Sequence, residues 1–190
     1  MKTGTRVLGV AESYRGDRSP GEPSTLAGAV VRPDRAVEGF AFGSLTVGGL
    51  NATDAVAELF STLDREDVRR LLVAGIAPAW YNLLDLPELA TVLDRPVCSV
   101  SFEESEGLED PLREAFSGEE LSKRLAIYER QPPREPIEID GQALFYRAVG
   151  LDAPEARELL SATTHEGGRP EPLRVARLAA RAADRFRGDL

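Results

Sequence analysis

The side chains best suited to chemistry in this sequence are three carboxylates and its only histidine: Glu12, Asp54, Asp85 and His165. Carboxylates offer hard oxygen ligands to Mg²⁺ or Mn²⁺, and a histidine titrates close enough to neutrality to move protons or meet phosphate. Each also has a plainer reading. Asp54 and Asp85 sit where helices begin, and an acid there caps or stabilises the first turn by ~1 kcal/mol. Glu12 ends an apolar run and suits a solvated loop edge, and a lone histidine in the polar stretch from Thr163 to Gly168 is ordinarily solvated too.

Arginines make the second group. Arg174, Arg177, Arg181 and Arg185 recur at three- and four-residue intervals, with Val175, Leu178, Ala182 and Phe186 as the apolar face of the same helix. Such a row tracks phosphates or is a solvated face paired with acids elsewhere. The neighbouring aromatics Trp80 and Tyr81 can stack on a base or pack in a core.

Strands and helices must position these groups. Residues 6–11 form an apolar strand that runs into a Gly/Pro-rich loop, and residues 26–32 and 36–47 form a hairpin across Pro33-Asp34-Arg35. A helix follows from Thr53, with Thr53 or Asn51 able to cap it. Residues 69–75 and 96–102 are continuously apolar, as buried parallel strands are. Between them a helix is expected over 82–94. The charged stretch 110–130 is helical with a break at Ser117-Gly118, and a Pro-rich connector leads to a hairpin turning at Asp140-Gly141. Two helices close the chain, near Pro154 and Pro172. An antiparallel triple followed by βαβ crossovers predicts an α/β fold. Its mixed sheet, an antiparallel three-strand start followed by parallel strands, is flanked by helices in the ribonuclease H-like order.

Composition sets bounds. A chain of 190 residues buries an ordinary core, so one domain over 1–190 is expected. Cys98 is the only cysteine, which excludes a disulfide framework and points to a reducing, cytoplasmic setting. No apolar run approaches membrane-spanning length. The 32 acidic residues outnumber 23 basic ones, for a net charge of -9, and only Lys2 and Lys123 are lysines. Acidic, lysine-poor surfaces suit concentrated salt, which suggests a haloarchaeal source. Such a charge is poor for nonspecific nucleic-acid binding, although in molar salt the Debye length is only ~3 Å and local patches decide.

Four segments carry a resemblance. Val7-Leu8-Gly9-Val10-Ala11-Glu12-Ser13-Tyr14, Gly49-Leu50-Asn51-Ala52-Thr53-Asp54, Leu71-Leu72-Val73-Ala74-Gly75-Ile76 with the following Asn82-Leu83-Leu84-Asp85, and Gly168-Arg169-Pro170-Glu171-Pro172-Leu173-Arg174-Val175-Ala176 run from the first strand to the last helix. Together they resemble the archaeal endonuclease V-like family known as endonuclease dU. The resemblance implies a ribonuclease H-like fold and a metal-dependent endonuclease acting on deaminated or damaged DNA or RNA.

The sequence departs from that pattern where the family carries its metal. Metal-binding aspartates are expected at 11 and 74, where this chain has alanine. An aspartate is usual at Asn51, and a histidine is expected at Arg177. Mg²⁺ needs one or two carboxylates, so losing both removes the seat. The expectation is a nucleic-acid-processing protein with reduced or no cleavage, in which Arg169, Arg174, Tyr14 and Trp80 contact nucleic acid. Two alternatives stand beside it. One is an active enzyme with Mg²⁺ or Mn²⁺ on a rewired set drawn from Glu12, Asp54 and Asp85 with His165. The other is a structural or partner-binding domain.

Overall fold

The computed structural model describes residues 4–165 and 168–188. Its strands are β1 (Arg6–Glu12), β2 (Pro23–Val31), β3 (Val37–Thr46), β4 (Val68–Ala74), β5 (Val97–Ser101), β6 (Glu135–Ile139) and β7 (Gln142–Val149). The helices are α1 (Ala52–Leu63), the single turn α2 (Pro78–Tyr81), α3 (Leu86–Leu93), α4 (Glu109–Ala115), α5 (Gly118–Glu129), α6 (Ala153–Thr163) and α7 (Glu171–Gly188). The strands form one seven-stranded sheet in the order β3-β2-β1-β4-β5-β7-β6.

Connection length explains the pairing. The β1–β2 loop and the β2–β3 turn carry no crossover helix and leave β1, β2 and β3 antiparallel, with Arg35 taking a left-handed conformation (φ 69°) in the β2–β3 turn. The crossovers through α1 and α3 bring β4 beside β1 and β5 beside β4, both parallel. The sheet then turns antiparallel again, with β7 between β5 and β6. The β6–β7 hairpin turns on Asp140 (φ 50°) and Gly141 (φ 74°), and a two-residue turn with both φ positive matches the twist of its strands. This is the ribonuclease H-like mixed sheet.

The central strands are covered on both faces, which is why their sequences are continuously apolar. On one side Leu8, Val10, Leu71 and Val73 pack with Val56 and Leu59 of α1 and Leu86 and Leu89 of α3. On the other, Ala11, Ala29 and Val31 meet Ala176 of α7, while Val7, Leu72 and Cys98 join Leu160 of α6 and Leu173 of α7. Among the described residues no helix is long and apolar enough to cross a membrane.

Three expectations need correction. The helix expected over 82–94 begins only at Leu86, because Asn82 is buried as a linchpin: its Nδ2 donates to the Thr46 carbonyl and to Asn51 Oδ1, and its Oδ1 accepts from Ala52 N. Neither Asn51 nor Thr53 caps α1; Asn51 Oδ1 accepts from Thr46 N instead, and Thr53 Oγ1 accepts from Asp85 N. Finally, α7 buries Pro172, Leu173, Ala176 and Ala180, while Leu178 and Phe186 are 55% and 66% exposed. The sheet accepts α7 along a line of small residues, and Gly9 makes the room: a Cβ there would lie 2.2 Å from the Pro172 carbonyl carbon.

Candidate functional site

The parallel register sets the geometry at the strand tips. Val10 pairs with Val73 and Ala74 with Val100, so Ala11 and Ala74 stand side by side one step beyond the Val10–Val73 pair. Adjacent strands are ~4.8 Å apart. Both methyl groups pack with Ala176. Ala74 is a wall of three cavities that converge on this tip. A cavity of about 190 Å³ adds Ala11, Glu12 and Arg177; one of about 360 Å³ adds Phe102, Arg169, Leu173, Arg177 and Arg181; one of about 450 Å³ adds Ser99, Tyr128, Arg134 and Arg147.

Glu12 lies beside Ala11 in the smallest cavity, but its oxygens are engaged. Its Oε2 accepts from Ser24 Oγ at 2.7 Å and from Tyr14 N, and the backbone of Ala79 also hydrogen-bonds it. Burial pushes its carboxyl above the ordinary value, against those hydrogen bonds and the nearby positive charge of Arg177. Glu12 therefore clasps the end of β1 to α2. That turn is strained, with Ala79, Trp80 and Tyr81 at φ 43°, 57° and 59°, a left-handed run that costs ~1–2 kcal/mol per non-glycine residue.

The other sequence candidates scatter. Asp54 is exposed in the first turn of α1. Asp85 is 2% exposed, caps α3 by accepting from Glu88 N at 3.1 Å, and binds Arg130 Nη2 at 2.5 Å. His165 follows α6, its Nε2 buried without a partner among the described residues. Neither aspartate lines a cavity at the strand tips. Trp80 packs on Phe116, ring centroids 5.2 Å apart, and on Tyr81, and Tyr14 packs against the main core. Arg174 is ion-paired with Glu171 at 2.7 Å, whereas Arg169 lies over the Phe102 ring at 4.1 Å.

Two arginines matter more than their sequence context suggests. Arg177 lines both smaller cavities, beside the alanines. Arg124 of α5 is 0% exposed and ties the segment after β3 to α2: it donates to the carbonyls of Gly48, Gly49 and Tyr81 and stacks on Phe116 at 3.7 Å. A buried arginine on an otherwise charged helix leaves no mark in the periodicity; only the break before α5 placed its helix.

The model of the family described as endonuclease dU matches residues 3–184. The chain belongs to the endonuclease dU family. It is similar to a UPF0215 protein of Pyrobaculum aerophilum, 34% identical over 94% of each chain. Its structure is similar to that of a protein of unknown function from Archaeoglobus fulgidus (TM-score 0.80, 26% identity, 94% of this chain and 97% of that one). It also resembles Ciona intestinalis endonuclease V in complex with inosine-containing DNA (TM-score 0.62, 13% identity, 96% of this chain and 86% of that one), a likeness of fold.

Against the metal-bearing pattern expected of the endonuclease dU family, the donor set at these tips does not fit. Among the described residues no three His, Cys, Asp or Glu side chains come together where an ion could sit. Glu12 is the lone carboxylate on the cavity shared by Ala11 and Ala74, and it is committed to three hydrogen bonds. A hard dication needs several oxygens at close range. The group that faces the alanines is instead a cation, Arg177.

Proposed function

We propose that this endonuclease dU family member binds nucleic acid in the cleft at the tips of β1, β4 and β5 with metal-dependent cleavage reduced or lost. The observation that carries the reading is the adjacency of Ala11 and Ala74 in register, with Arg177 on the same cavity walls. Two methyl groups supply no ligand, and a guanidinium repels a dication. The family and its endonuclease V-like fold support nucleic acid, DNA or RNA carrying a deaminated or damaged base, as what the cleft receives. The acidic surface argues for a local site over a broad basic face.

A second reading, an endonuclease with a rewired metal site, draws on Glu12 alone, because Asp54 lies exposed on α1 and Asp85 is paired with Arg130. One experiment separates the two. Purified protein in concentrated salt is incubated with Mg²⁺ or Mn²⁺ and with uracil-, inosine- or mismatch-containing DNA and RNA. The first reading expects binding without specific cutting. Specific cutting abolished by Glu12→Gln would overturn it in favour of the second.

A further inference from the structure

We propose that Arg177 and Arg181 form a phosphate seat at the tips of β1 and β4, holding a phosphodiester group by their guanidiniums. The inference rests on the nucleic-acid reading above and names the contact at its centre.

These two arginines share a cavity wall and hold no carboxylate among the described residues. In this acidic chain Arg6, Arg18, Arg65, Arg130 and Arg174 all hold carboxylates within 3 Å. Arg177 and Arg181 line the 360 Å³ cavity together, yet among the described residues neither makes an ion pair or hydrogen bond. The Arg181 Nε is buried with no partner. An unmet buried donor is a cost that native structures rarely leave in place. Burial and the like charges of Arg177, Arg15 and Arg185 hold the Arg181 guanidinium below its ordinary value, with the charge of Glu12 acting in the opposite direction.

Geometry favours an oxyanion. Residues four apart on a helix lie on one face, so the two guanidiniums are stacked one turn apart on α7. Each presents a planar fork of donors matched to two phosphate oxygens. Phe102 and Leu173 give the cavity apolar walls, where a charged hydrogen bond is stronger than in water. The alanines complete the case. An aspartate at 11 or 74 would sit on the cavity wall with Arg177 and neutralise it, whereas a methyl group leaves the guanidinium free. Glu12, the acid on the cavity shared with Arg177, accepts hydrogen bonds from Ser24, Tyr14 and Ala79.

The test is fluorescence anisotropy of the full chain with a short fluorescein-labelled single-stranded DNA, in EDTA, across a salt series. Wild type binds in EDTA. Arg177→Gln/Arg181→Gln weakens binding by at least ~10-fold at low salt and makes the log–log salt slope shallower by about 1.4, two phosphate contacts' worth. Arg65→Gln, an ion-paired arginine elsewhere, leaves both unchanged. An unaltered slope in the double variant, or wild-type binding abolished by EDTA, overturns the proposal. Thermal melts check folding, and Arg177→Gln alone serves if the double variant fails to fold. If wild type binds no oligonucleotide at all, the nucleic-acid reading fails. Inorganic phosphate then tests the seat itself: a phosphate-induced rise in melting temperature that vanishes in the variant supports it, and an equal rise in both sinks it.

Discussion

Gly9 of β1 and Pro172 of α7 touch backbone to backbone: a Cβ on Gly9 would fall 2.2 Å from the Pro172 carbonyl carbon and 2.3 Å from its oxygen. This contact seats the start of α7 on the sheet and thereby aims Arg177 and Arg181 at the strand tips. Gly9→Ala must push the helix away, because both obstructing atoms are main chain. A loss of at least ~1–3 kcal/mol is expected, read as a fall in melting temperature, together with weakened nucleic-acid binding. Gly39→Ala meets nothing within 4 Å and should stay within about 0.5 kcal/mol of wild type.

Arg124 should be worth more to stability than any surface arginine. Its removal strands the carbonyls of Gly48, Gly49 and Tyr81. Arg124→Leu is expected to cost ~3–5 kcal/mol, seen as a lower denaturant midpoint at constant slope. Arg124→Lys should recover little of it, since an ammonium cannot span those acceptors as a planar fork does. A lysine variant as stable as wild type would refute the role assigned to the fork.

Glu12 gives a pH signature. Burial raises its carboxyl above the ordinary 4.5, so the folded chain holds the proton more tightly than the unfolded chain. The stability this confers is fully present below about 4.5 and is lost as pH rises through the folded value. Gln at this position does not titrate. The melting temperature of Glu12→Gln minus that of wild type should therefore climb as pH rises from 4.5 toward neutrality and then level off. A flat or falling difference would mean that the carboxyl is not held above its ordinary value.

Asp85 and Asp54 should separate cleanly. Asp85→Ala loses the α3 cap and the Arg130 pair and is expected to cost ~1–2 kcal/mol, while Asp54→Ala, exposed in a first turn, stays within about 0.5 kcal/mol. Oligonucleotide affinity should be unchanged in both. A selective loss of affinity in either would return that aspartate to the site.

The strands were legible because burial on both faces leaves long apolar runs, and both hairpins announced themselves through Pro33-Asp34-Arg35 and Asp140-Gly141. The resemblance, with alanine at 11 and 74, pointed to the two strand tips from sequence alone. Hidden from sequence was whatever depended on close approach. Ranking residues by hydrophobicity chose Leu178 and Phe186 as the inner face of α7, but the helix start lies against Gly9, and the face turned to the sheet is Pro172, Leu173, Ala176 and Ala180. That rotation moves Arg177 and Arg181 from an apparent solvent stripe into the cleft. The start of α3 was obscured in the same way, by the Asn82 side chain satisfying backbone groups thirty-odd positions earlier in the chain.

The most direct test is calorimetric titration of Mn²⁺ into the wild-type chain and Glu12→Gln in concentrated salt. No saturable site is expected in wild type, and the heats of the two proteins should be indistinguishable. One Mn²⁺ bound per chain and lost with Glu12 would contradict this.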